Sequence, residues 1–229
     1  MRGTPTAASG ASGAMLAGRG LACRRGERLV FTDLDLEVAA GELLLLRGPN
    51  GSGKSTLLRL IAGLIRPERG ELLWRGQRIE DPEAFRAGLA YVGHGDAAKA
   101  ELTPREDLRF WLALFGVAPV EAAERARAAL TRLGVERLAD LPCRLLSAGQ
   151  RRRLALARVA ASGARLWLLD EPFNALDESA VLTVQAMLAE HRAAAGLVVM
   201  AAHGAVPVSP SRELDLLGAG ARAVEESVG

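Results

Sequence analysis

The sequence predicts an α/β fold built on a mostly parallel sheet, with a helical subdomain inserted between its strands. Two observations predict it. Short apolar runs that read as buried strands alternate with segments of helical periodicity, as in a parallel sheet with crossover helices. Between the strand-like runs at 89–92 and 166–169 the alternation stops, and roughly residues 97–160 read as helical. At 229 residues the chain can bury a sizeable core, as one domain or a domain with a subdomain.

Taken in order, residues 1–14 are rich in Gly, Ala, Ser and Thr and lack a continuous apolar run. They read as a disordered leader and not a signal peptide, which leaves 15–229 as the folded domain. Residues 29–38 alternate in part and read as a strand near the edge of the fold. After the turn at Gly41-Glu42, Leu43-Leu44-Leu45-Leu46 reads as a buried strand. Leu57, Leu58, Leu60, Ile61 and Leu64 fall at helical spacing, so a helix is expected from Lys54 to about Leu64, before the turn cluster Pro67-Glu68-Arg69-Gly70. Glu71-Leu72-Leu73-Trp74 is a short strand closed by Arg75-Gly76-Gln77, and Leu89-Ala90-Tyr91-Val92 is another, ending at Gly93-His94-Gly95.

Thr103-Pro104-Arg105-Glu106 is a capping box with Pro at the first helical position. Leu108, Trp111, Leu112 and Phe115 follow on one helical face. A second amphipathic helix spans about 120–133, with Gly134 as its stop. Strand returns at 166–169, helix at 177–195 and strand at 197–200.

A hydrophobic content of 49% suits a globular protein, and a net charge of +2 is too small to mark a nucleic-acid surface. No apolar run approaches the roughly 20 residues that span a bilayer. Cys23 and Cys143 are far apart and match no zinc or haem-attachment spacing; they read as one buried and one loop thiol in a reducing compartment. The histidines, His94, His191 and His203, show no metal-ligand spacing.

Gly48-Pro49-Asn50-Gly51-Ser52-Gly53-Lys54-Ser55-Thr56 fits G-x-x-x-x-G-K-[ST], the phosphate-binding loop, between a strand and a helix as that loop requires. Glycines let backbone N–H groups turn around phosphates, and the helix N-terminus adds positive charge beneath them. Gly48, Asn50, Gly51, Ser52, Gly53, Lys54, Ser55 and Thr56 are therefore the candidate phosphate-binding residues. Lys54 is expected to reach the β- and γ-phosphates, and Ser55 to place its hydroxyl on Mg²⁺. Leu168-Leu169-Asp170-Glu171 closes an apolar strand with two carboxylates that face the ligand crevice of a parallel sheet. Asp170 is the candidate for Mg²⁺, through water, and Glu171 for orienting or deprotonating an attacking water.

Leu146-Ser147-Ala148-Gly149-Gln150 stands just before a basic helix. Joined to the phosphate loop and to Asp170-Glu171, it resembles the signature motif of ATP-binding cassette ATPases, and the resemblance runs over nearly the whole chain from about Leu16. That family usually has Gly where this chain has Ala148. Asn174-Ala175-Leu176-Asp177 resembles its D-loop, and His203 its switch histidine. The resemblance implies a P-loop NTPase (RecA-like) core with a mostly parallel sheet, an antiparallel edge sheet and an inserted helical subdomain. It implies ATP hydrolysis with Mg²⁺, with Glu171, His203 and Lys54 as catalytic candidates. It further implies a head-to-tail homodimer in which Ser147, Gly149, Gln150 and Asp177 act on the nucleotide of the partner. Arg151-Arg152-Arg153 reads as a solvated helix face, with support of the anion site at Ser147 and Gly149 as the alternative.

Two positions depart from the family pattern. Cys23-Arg24-Arg25-Gly26 stands where most members have an aromatic residue that stacks on adenine; an arginine plane is the candidate to stack instead. His94 stands where Gln is usual, near Mg²⁺ and the membrane partner, and is a candidate coupling or sensor residue. Tyr91-Val92-Gly93-His94, with Lys99, Leu102-Thr103, Glu106 and Leu108-Arg109-Phe110, is similar to the ATP-binding subunits of haem exporters in cytochrome c maturation. Leu73-Trp74-Arg75-Gly76-Gln77 and Asp170-Glu171-Pro172-Phe173 are similar too, whereas Asp107 stands where Asn is expected. This resemblance implies a peripheral subunit at the cytoplasmic face of the inner membrane, bound to integral haem-exporter permease subunits. Its ATP hydrolysis would serve haem export or the release of a haem-loaded chaperone. No nucleic-acid partner and no direct haem binding are expected. A subunit of another ABC importer or exporter, or a soluble cassette ATPase acting on nucleic acid or ribosomes, are the alternatives.

Overall fold

The computed structural model describes residues 14–95, 97–216 and the backbone of 223–224. Two sheets organise them. In the first, β1 (Ala14–Arg25), β2 (Arg28–Ala39), β4 (Arg69–Trp74) and β5 (Gln77–Arg78) are antiparallel in the order β2-β1-β4-β5. In the second, β3 (Leu43–Arg47), β6 (Leu89–Val92), β7 (Leu166–Asp170), β8 (Leu197–Ala201) and β9 (Arg212–Asp215) are parallel in the order β9-β3-β8-β7-β6. The short β10 (Ala223–Val224) lies antiparallel to β9 at the edge. This is the α/β architecture expected, antiparallel edge sheet included.

The parallel strands are apolar throughout because both faces are covered. Their alternation divides the side chains between two cores. Leu43, Leu45, Trp167, Leu169, Val198 and Met200 pack towards α3 (Pro104–Leu114), α4 (Pro119–Arg132), α5 (Ala148–Ser162) and α6 (Glu178–Ala193). Leu44, Leu46, Leu166, Leu168, Leu197 and Val199 pack towards α1 (Lys54–Ile61) and the antiparallel sheet, where they meet Leu57, Leu58, Phe31 and Leu34. Burying such side chains contributes about 1.5–3 kcal/mol each.

The inserted helical region is α3, α4 and the greater part of α5. Its ends are set locally. Thr103 Oγ1 accepts the Glu106 N–H at 3.3 Å, and Glu106 Oε2 accepts the Thr103 N–H at 2.9 Å, so the expected capping box is formed. At the end of α4, Gly134 takes φ +68° and donates to the Thr131 carbonyl, while the Val135 N–H reaches back to Leu130. That is a Schellman closure, and Leu130 and Val135 are both buried beside it.

Several expectations are corrected. Of the expected leader at 1–14, residues 1–13 lie outside the described residues, and Ala14 already opens β1. β1 escapes a period-two reading because register shifts between Gly18 and Leu21 and again near Cys23 break its alternation. α2 (Pro82–Ala87) buries no residue, so no apolar period marks it; its signal is the Asp81 cap, whose carboxylate accepts from the Glu83 and Ala84 N–H groups, ahead of Pro82. The first helix stops at Ile61 rather than Leu64. Residues 97–103 and 133–147 are not α-helical, and α5 runs on to Ser162. Both cysteines are buried, Cys23 within β1 and Cys143 in the short turn before α5.

Asp107, unexpected in the sequence, is fully buried and meets Arg158 with Nε 2.6 Å from Oδ2, joining α3 to α5. Burial pushes its carboxyl up from the usual value, and the Arg158 charge pulls it back. Removing one member of a buried pair leaves the other charge uncompensated, at about 3–5 kcal/mol. Arg158→Met is expected to lose that much in urea denaturation, and Asp107→Leu/Arg158→Met to recover most of it. A loss below about 1 kcal/mol for the single change, the level of an exposed pair, would contradict this view of the pair.

Candidate active site

The loop after β3 begins the site. Gly53 caps α1 at φ +109°, and a Cβ there would lie 2.6 Å from Val30 Cγ1, so both conformation and space require glycine. No acidic residue occupies the first turn of α1, which leaves its N-terminal positive end uncompensated. Lys54 is buried, and its Nζ donates to the carbonyls of Gly48 at 2.6 Å and Pro49 at 3.0 Å. Burial lowers its pKa, while Glu171, Asp170 and Asp215 pull it back up. Asp215 gave no sequence signal. It is brought to the site by β9, which pairs it with Arg47 at the end of β3.

The neighbouring strands supply the carboxylates. Asp170 ends β7 at 1% exposure, and its Oδ2 is buried without a hydrogen-bond partner. Glu171 takes φ +54°; its N–H donates to the Ala201 carbonyl at 2.8 Å. His203, just beyond β8, places Nε2 3.1 Å from Glu171 Oε1. A cleft of about 610 Å³ is lined by Asn50, Gly51, Gly53, Lys54, Ser55 and Thr56 on one side. His94, Asp170, Glu171 and His203 line the other. Gly48 enters through its carbonyl on Lys54, and the Ser52 hydroxyl is buried beneath the loop.

Ser147, Gly149, Gln150 and Asp177 do not line this cleft. Ser147 caps α5, its Oγ accepting the Gln150 N–H at 3.2 Å while Gln150 Oε1 accepts the Ser147 N–H at 2.8 Å. A Cβ on Gly149 would lie 2.5 Å from the Ala175 carbonyl oxygen. Asp177 caps α6 through the Ala180 N–H at 2.9 Å and pairs with Arg153. The four residues therefore form one surface around the start of α5 and the 174–177 loop.

Residues 31–174 match the ABC transporter family model. The chain is 48% identical over 199 residues to the cytochrome c biogenesis ATP-binding export protein CcmA of Paramagnetospirillum magneticum, covering 86% of this chain and 92% of that protein. Identity to the protein of the same description from Nitrosococcus oceani is 48% over 200 residues, with 86% and 89% covered. The chain belongs to the ABC transporter family, among its CcmA proteins. The fold agrees: a solved ATP-binding subunit of an ABC transporter superposes with TM-score 0.79 at 26% identity, covering 88% of this chain and 85% of that one.

This ABC ATPase differs from the sequence reading at the basic run. Arg152 is not on a solvated face. It is 3% exposed and donates to the carbonyls of Gly93 at 3.0 Å, Asp170, and Glu171 at 2.5 Å. Spacing gave no signal, since Leu154, Ala155, Leu156 and Ala157 are all buried and place each of Arg151, Arg152 and Arg153 over an apolar pair. Arg25, Arg28 and Val30 also line the cleft, and none of its described lining residues is Phe, Tyr or Trp. Arg24 is engaged by Glu68 and the Glu27 carbonyl, and Arg28 donates to the Gly51 carbonyl at 3.4 Å.

Proposed function

We propose that this ABC ATPase is the ATP-hydrolysing subunit of a membrane complex that exports haem, or releases a haem-loaded chaperone, for c-type cytochrome assembly. The observation that carries the reading is the convergence of Lys54, Asp170, Glu171 and His203 on one cleft, in a chain 48% identical to cytochrome c biogenesis ATP-binding export proteins.

In this reading the N–H groups of the 48–56 loop hold the phosphates and Lys54 contacts the β- and γ-phosphates. Glu171 accepts a proton from the attacking water as its oxygen bonds to the γ-phosphorus. His203, in contact with Glu171, orients that carboxylate and touches the γ-phosphate. Lys54 stabilises the charge left on the departing ADP oxygen. Asp170 and the Ser55 hydroxyl would hold Mg²⁺. The fit is good, because a buried carboxylate oxygen without a donor suits a hard cation with oxygen ligands. The cation, when bound, neutralises charge on the β- and γ-oxygens. The base rests against Arg25 and Val30, a guanidinium taking the place of the missing aromatic ring.

Ser147, Gly149, Gln150 and Asp177 do not line their own cleft, which supports a head-to-tail homodimer in which they complete the partner's site. Among the described residues no helix is long and apolar enough to cross a membrane. Attachment to integral permease subunits at the cytoplasmic face is through a second, apolar cleft of about 550 Å³ between Leu64, Tyr91, Trp111, Leu114 and Phe115. Gly93, Gly95 and Ala97 border this groove while His94 faces the nucleotide cleft, so one loop touches both and can pass ATP state to the permease. Asp96 of that loop lies outside the described residues.

Glu171→Gln is expected to bind ATP normally and to hydrolyse it about 10²–10⁴-fold more slowly in single-turnover assays on the assembled complex. Asp170→Asn should instead weaken Mg²⁺-dependent binding. Hydrolysis by Glu171→Gln at the parental rate would remove Glu171 from its role. The function itself is tested by deleting the gene. Haem-attached c-type cytochromes should vanish from stained gels while b-type haem proteins persist. Normal c-type cytochromes in a strain without a second copy would overturn the haem assignment and leave the ATPase standing.

A further inference from the structure

We propose that Arg152 is a positioning residue for hydrolysis: its buried guanidinium fixes the strained backbone of Glu171 and ties it to the Gly93 carbonyl at the root of the His94 loop. The inference rests on Glu171 acting as the base. A non-glycine residue in the left-handed region is disfavoured by about 1–2 kcal/mol and persists only where its surroundings hold it there. Glu171 stands at φ +54°. Its N–H is held by the Ala201 carbonyl at 2.8 Å, and its carbonyl accepts from the Asn174 N–H at 3.2 Å and from Arg152 Nη2 at 2.5 Å. The preceding carbonyl, that of Asp170, accepts from the same Nη2, so the peptide groups on both sides of the Glu171 Cα are pinned by one planar group.

Fixing the backbone on both sides of Cα fixes the direction of Cβ, and so the approach of the carboxylate to His203. Nη1 reaches the Gly93 carbonyl at 3.0 Å, at the end of β6. Arg152 belongs to α5, the helix that Ser147 caps, so the same side chain links the helical subdomain to the base and to the loop bordering the permease groove. A guanidinium is taken out of water at considerable cost, offset here by charge-assisted hydrogen bonds to carbonyls. A lysine could not span them, having one nitrogen where arginine has a rigid fork.

Four chains decide the matter in the assembled complex: parental, Arg152→Gln, Glu171→Gln, and the two changes together. Displacing a reacting group by about 1 Å costs about 10²-fold. Arg152→Gln should therefore lower kcat by about 10²-fold while KM and the affinity for a non-hydrolysed ATP analogue move by less than about threefold. In the Glu171→Gln background the Arg152 change should slow single-turnover hydrolysis no further. A merely structural residue would lower the rate in both backgrounds by the same factor, and that result overturns the proposal, as does a parallel loss of analogue affinity or an unchanged kcat. Failure of the underlying reading looks different: Glu171→Gln would then itself retain the parental rate. If Arg152→Gln does not assemble, Arg152→Lys, which keeps the charge, is carried through the same cycle with the same criteria.

Discussion

Leu46, Ala201 and Asp170 stand side by side across the parallel strands β3, β8 and β7, and the site depends on that row. Each is the point where a buried strand gives way to a loop. From β3 the chain turns into the phosphate loop and Lys54; from β8 it reaches His203; from β7 it passes to Glu171. The row is held by packing on both faces. A slip of one residue would carry the whole apolar set of a strand to the wrong core, so register is tightly specified. The crevice at the carboxyl ends of parallel strands is thus supplied by the core itself, and the polar groups that line it need no separate scaffold.

The helical subdomain is joined to this core by buried charge as well as by apolar contact. Two arginines of α5 point inwards. Arg158 meets Asp107 of α3, and Arg152 meets the carbonyls of Gly93, Asp170 and Glu171. Apolar surfaces can slide over one another; buried ions cannot without losing their partners, so such contacts favour discrete arrangements over gradual ones. That property suits a subdomain whose position reports nucleotide state. Gly149, pressed against the Ala175 carbonyl, adds a third constraint by tying the start of α5 to the 174–177 loop. Through α5, the Glu171 backbone, the surface around Ser147 and the apolar groove beside Trp111 are joined in one contiguous set of contacts.

Local signals in the sequence carried much of this. The phosphate loop, the Asp170-Glu171 pair and the capping box at Thr103 are short motifs whose residues act on their immediate neighbours, and the structure places Lys54, Ser55, His94, Asp170, Glu171 and His203 on one cleft. The four-leucine run of β3 was legible because a strand covered on both faces needs no polar residue. What escaped was set by tertiary context. β1 is interrupted by register shifts, α2 has no buried face, and β9 is a strand only because β3 lies beside it. Arg152 read as a surface charge, and the burial of Asp107 was not foreseen, because partners distant in sequence, at 93, 170–171 and 158, are invisible to any local pattern. The missing aromatic near Arg25 was visible, but which arginine faces the cleft was not, since Arg24 is drawn off by Glu68.

If hydrolysis occurs at a cleft completed by the Ser147 surface of a second copy, two defective chains can repair one another. The decisive measurement is ATP hydrolysis after mixing a Ser147→Arg chain with a Lys54→Ala chain. Neither variant alone has an intact composite site, whereas a head-to-tail heterodimer has one site combining Lys54 of the first chain with Ser147 of the second. Hydrolysis, absent from each variant, is expected to return on mixing in proportion to the heterodimer formed. Verified heterodimers that remain inactive would contradict a site shared between the two copies.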